Sequence, residues 1–110
     1  MSEVTALEKQ LEEAKVFINR RDLAVKLYNN PEFKKLIIDE FCGSECARYA
    51  QTSADPALDD RQRADALAIA QAAGHLRRYL SVIVTMGNQS EEMLDRLEAE
   101  IEVARQEEIA

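Results

Sequence analysis

Cys42, Cys46 and His75 are the residues whose types offer the most chemistry in this chain. Two cysteines four apart share a helix face, so their thiolates could bind Zn²⁺ together with an imidazole and one carboxylate. The spacing is not that of a CxxC knuckle, and no second cysteine pair completes a four-ligand set. The reading is therefore two small apolar thiols and a capped or exposed histidine, with no metal. The same residues supply the types for a Cys–His nucleophile pair. That arrangement lacks a Gly-rich elbow, a second histidine and the loops on which catalytic pockets are usually built. No catalytic residue, no cofactor and no enzymatic activity is expected. A Cys42–Cys46 disulfide is disfavoured, because Cβ atoms four apart on a helix lie about 5–6 Å apart and a disulfide needs about 3.8 Å.

The other charged residues read as surface. Glu98, Glu100, Glu102, Glu107 and Glu108 form a solvated face rather than an acid and base pair. Arg20-Arg21 and Arg77-Arg78, the latter beside Tyr79, could touch phosphate if helices placed them side by side. Ion pairing to the acidic C-terminal residues is the expected role of both doublets.

The elements that position these residues are helical. Val4, Leu7, Leu11, Ala14 and Ile18 are spaced 3, 4, 3, 4, and Val25 and Tyr28 resume the register beyond Arg21. This is a heptad seam carrying one charged inward position, and it predicts a helix over 3–29. Asn30 and Pro31 then suit the cap and first turn of a second helix, over 31–51. Its apolar stripe is Phe33, Leu36, Ile37 and Phe41, and Gly43 is read as room for a neighbouring helix. After the Thr52–Leu58 loop, Asp59 and Gln62 have capping-box spacing and open a third helix over 59–107.

In that helix Leu76, Ile83, Ser90, Leu97 and Ala104 are each seven apart, and Leu80, Gly87, Leu94 and Ile101 form the matching series. A continuous helix of this span would be about 70 Å long. Gly87 and Asn88 mark a candidate break near 86–90. The unbroken phase favours continuity. The alanines between Ala64 and Ala73 read as a face for close helix packing.

The expected architecture is an all-α single domain over 1–110. The long N- and C-terminal helices form a helical hairpin or bundle with coiled-coil-like antiparallel arms, and a shorter packed helix lies between them. Only three glycines and two prolines leave little material for the turns of a sheet.

The balance of 14 basic against 21 acidic residues gives net −7 and argues against direct nucleic-acid binding. The charge is segregated: residues 61–87 carry four basic and one acidic residue, whereas 88–110 carry two and eight. No apolar run reaches the roughly 18 residues that cross a bilayer, so no membrane partner is expected. The N-terminal MSEVTALEKQ lacks the layout of a signal peptide, which places the two cysteines in a reducing compartment.

The segments IIDEFCGSECARY, SADPAL and AAGHLRRYLSVIVTMGNQSEEML resemble small helical proteins of tailed bacteriophages. The resemblance covers about two thirds of the chain and implies a virion structural or assembly component. It further implies the host cytoplasm during assembly, then the virion, and other phage proteins as partners. From the seams themselves, the chain is expected to associate with copies of itself. The candidate interaction residues are Leu7, Leu11, Ile18, Leu94, Leu97 and Ile101. The competing reading is a small regulatory protein that binds and modulates a host or phage protein.

Overall fold

The computed structural model describes residues 2–109. Helix α1 spans Glu3–Tyr28. After Asn29 and Asn30 comes α2, Pro31–Phe33, which runs without a gap into a π-helical segment, Lys34–Glu45, and then α3, Cys46–Ser53. Helix α4 spans Asp60–Ile109. No strand occurs among the described residues, so the fold is all-α, with long first and last helices.

The helix starts follow the local chemistry of the sequence. The Asn30 side chain accepts a hydrogen bond from the Phe33 N–H at 2.8 Å, and Pro31 occupies the first helical position. Asp59 and Gln62 close a reciprocal capping box. The Gln62 N–H donates to Asp59 Oδ1 at 2.8 Å, and the Asp59 N–H donates to Gln62 Oε1 at 3.2 Å. In the loop before them, the Ala57 N–H donates to Asp55 Oδ1 at 2.9 Å, an Asx turn that redirects the chain.

The unbroken phase is matched by an unbroken helix at Gly87, whereas the expectation about Gly43 changes. Gly87 does not interrupt α4, which is helical through 86–90 with no positive φ. Gly43 does not admit a neighbouring helix: the nearest atom to a Cβ placed there is the chain's own Ile38 carbonyl oxygen, at 3.5 Å.

The chain divides into two compact units. The first comprises Met1–Val25 and Val82–Ala110, the second Lys26–Ser81. In the first, α1 and the C-terminal part of α4 run antiparallel. Val4, Leu7, Ala14, Leu97, Ile101 and Ala104 form its core, with Leu11 packed against them. The buried line leaves the expected register at its end, where Ala24 is buried and Val25 is 41% exposed.

The second unit sets the α2–π–α3 stretch against the N-terminal part of α4, again antiparallel. The π-helical winding alters which side chains face inward. The Cys46 N–H donates to the Phe41 carbonyl five residues back, and Lys35 pairs with Glu40 at 3.5 Å across the same interval. More residues per turn move the facing set to every fourth or fifth position. Phe33, Ile37 and Phe41 are half-buried and Cys42 is buried, but Leu36 turns outward and is 58% exposed. The expected stripe, drawn for an α-helix, therefore loses Leu36. On α4, Ala66, Ala73 and Leu80 are buried in heptad register, while Ala64, Ala68 and Ala72 face solvent.

Candidate functional site: the helical seam

The interaction residues expected from the sequence lie along the seam of the first unit. Leu7, Leu97 and Ile101 are buried against one another's neighbours, and Leu11 packs on the same cluster. Ile18 and Leu94 are half-buried. The chain's own α1 thus covers the apolar stripe of α4, so these side chains serve first as the core of this unit. Fully burying a leucine-sized side chain is worth about 1.5–3 kcal/mol, which makes the seam the main stabilising feature of the pair.

Arg21 is the charged inward position, and its environment explains how the seam tolerates it. The arginine lies over Gly87, so close that a Cβ on that glycine would come within 2.1 Å of Arg21 Cβ and 2.8 Å of its Cγ. The missing side chain makes the space. From there Nη1–H donates to Asn88 Oδ1 at 3.1 Å and to Glu91 Oε2. Nε–H and Nη2–H donate to Asp22 Oδ1 at 3.1 and 3.0 Å. The guanidinium is 13% exposed and the two carboxylates are each 61% exposed, so the charge sits at the edge of the seam with its partners in water. Hydrogen bonding to Glu91, then to Asp22, raises the arginine pKa further above its usual value. Nearer the chain ends, Arg105 Nη2–H donates to Glu8 Oε1 at 2.7 Å. These two ion pairs fix α1 and α4 at two levels of the seam.

The basic doublets accordingly diverge. Arg21 pairs with an acidic residue of the C-terminal part of α4, as expected. Arg77 and Arg78 are exposed and make no ion pair among the described residues.

The thiols occupy a different kind of contact in the second unit. Cys42 Sγ–H donates to the Ala73 carbonyl at 3.6 Å, and Cys46 Sγ–H donates to the Ala70 carbonyl at 3.5 Å. Both are free. Burial pushes the Cys42 thiol up; Arg77 offsets this in part. Such a thiol is protonated at neutral pH and is a poor nucleophile. His75 is exposed, and no group of three His, Cys, Asp or Glu side chains converges among the described residues.

No family model, curated protein or solved structure matches the chain. Its function must be read from its own surfaces.

Those surfaces hold what the seam pattern did not reveal. Val16 and Leu23, seven apart on α1, are 56% and 65% exposed, and Val103 on α4 is 55% exposed. A shallow groove of about 240 Å³ between α1 and α4 is lined by Gln10, Glu13, Ala14, Phe17, Ser90 and Met93. The seven-residue spacing of Val16 and Leu23 was the available signal, hidden because the inner seam has the same period. The Arg21–Gly87 contact was half visible, as a charge in one heptad line and a glycine in another.

Proposed function

We propose that this chain is a non-enzymatic structural or assembly protein that associates with copies of itself. The observation that carries this reading is the amount of apolar side chain left uncovered after the internal seam is filled. Val16, Leu23, Val103 and, in the second unit, Leu36 and Tyr79 are each more than half exposed. Exposed apolar side chains aligned on one helix face, as Val16 and Leu23 are at seven-residue spacing, support an association site. A two-helix layer has no further element to cover it, and small chains that cannot bury enough surface alone commonly oligomerise. The inner seam then shapes the building block, and the outer faces join the blocks. This moves the expected contact between copies from Leu97 and Ile101 to the outer faces.

Light scattering and sedimentation at tens of micromolar test this reading. An oligomer of fixed stoichiometry is expected, and a strict monomer overturns it. The resemblance to tailed-phage proteins makes the virion the concrete setting, which mass spectrometry of purified particles tests by the presence of the chain. The second reading, a regulatory binder, draws on the exposed acidic residues of 88–109, including Glu92, Glu98 and Glu102. A monomer that captures a phage or host protein through this run would favour it.

A further inference from the structure

We infer that the outer face of α1 formed by Glu13, Val16, Arg20 and Leu23 is a two-fold interface, on which a second copy of this chain packs with its own α1 antiparallel. The inference rests on the self-association proposed above and names the surface that performs it.

The four residues lie at intervals of 3, 4 and 3, so they share one face of the helix, turned away from the Leu7–Ile18 seam. Val16 and Leu23 are exposed despite being apolar, whereas half-buried Phe17 lies at the groove beside α4. The charges on this face are opposite and symmetric about its centre. Glu13 lies three residues before Val16, and Arg20 lies four residues after it. Neither makes an ion pair among the described residues, although Glu12, Arg21 and Asp22 on the same helix do.

Such a face is complementary to itself. In a two-fold contact the same patch serves both partners, and residue i meets j while j meets i. An axis passing beside Val16 sets Glu13 of each copy against Arg20 of the other, twice. The same register sets the two copies of Val16 side by side at the centre, with Leu23 of each copy at one end of the patch. A parallel arrangement would oppose Glu13 to Glu13 and Arg20 to Arg20, which like-charge repulsion disfavours.

A charge-reversal cycle on the full chain tests this, read by analytical ultracentrifugation, with circular dichroism confirming that each variant stays helical. Glu13→Arg and Arg20→Glu each place like charges in contact twice, and each is expected to weaken association at least about tenfold. The double variant Glu13→Arg/Arg20→Glu restores opposite charges and is expected to associate like the wild type. Mixing the two single variants is expected to give a 1:1 complex that neither forms alone. If the wild type itself is monomeric, both the interface and the self-association reading fail. If the wild type associates but the single variants associate equally well, this interface is wrong and self-association stands. If the single variants dissociate and neither the double variant nor the mixture recovers, the antiparallel pairing is overturned.

Discussion

The two units bury the faces of their helices in different ways. In the first, branched side chains oppose one another across the seam: Val4 and Leu7 on α1, Leu97 and Ile101 on α4. Stability there comes from apolar area, and the one charged inward residue is accommodated by a glycine. In the second, the facing set is small. Cys42 and Cys46 approach Ala73 and Ala70 until the thiols donate to main-chain carbonyls. Alanine and cysteine bring backbones together and bury little area per residue, so that unit gains from polar contact and close packing what it lacks in bulk. The comparison teaches that a heptad pattern fixes which face is buried, and side-chain size then decides how far apart the helices sit.

The largest expected effect comes from charging the apolar seam. Leu97 and Ile101 are 3% and 5% exposed. Replacing both with Asp removes their burial and leaves carboxylates in its place, at a cost of about 3 kcal/mol or more each. Hydrogen exchange should show protection lost over 3–25 and 82–109 and retained within 31–53 and 60–81. Equal loss in both sets would show that the two units are one cooperative structure.

Glycine sharpens the comparison. Gly87→Ala gains about 1 kcal/mol of helix propensity. It also drives a methyl group into Arg21 Cβ, which belongs to the base of the side chain and cannot swing aside. A net loss of about 1–3 kcal/mol is expected, read from the urea midpoint. An unchanged or raised midpoint would mean that the helices separate freely at this level.

The thiols report on the second unit. Cys42 is buried with its pKa pushed up, and Cys46 is half-buried. Iodoacetamide at mildly alkaline pH should label Cys46 well before Cys42, as mass spectrometry resolves. The sign of the accompanying pH effect follows from linkage. A thiol whose pKa is raised by folding contributes its full stability below the ordinary thiol pKa. That contribution is lost as pH rises through the folded value. Wild type should therefore lose more stability between about pH 7 and about pH 10 than Cys42→Ala does.

The smallest effect is a gain. A Cβ at Gly74 meets nothing within 4 Å, so Gly74→Ala should raise stability by about 0.5–1 kcal/mol in the same urea titration. Opposite signs at Gly74 and Gly87 would show that one glycine is a helix cost and the other a packing requirement.

Much of this fold was legible in the residues because its signals are local. Heptad spacing, the Asn30-Pro31 start and the Asp59–Gln62 box each depend on side chains a few residues apart; both helix starts appear in the structure as read, and the heptad line of α1 holds until Ala24 replaces Val25 in it. The seam's constituents were legible too, since apolar residues at that spacing must face something. What covered them was not. A stripe such as Leu94, Leu97 and Ile101 is satisfied equally by its own chain or by another copy, and only the folded chain shows α1 lying against it. The winding of 34–45 was also beyond reach, because the shift from i→i+4 to i→i+5 bonding leaves no residue-type signature, and Leu36 was placed on the wrong side.

The sequence by itself determined that the chain is helical, where its helices begin, and, outside the π-helical 34–45 stretch, for the most part which residues share a face, because these follow from backbone preference and periodicity. The tertiary structure alone decided that Gly87 is a seat for Arg21 rather than a helix end. It likewise decided that the two cysteines donate to α4 carbonyls, and that the chain's own helices leave Val16 and Leu23 exposed. Each of these depends on what lies opposite a side chain from a distant part of the chain, and spacing along one helix carries no information about that neighbour.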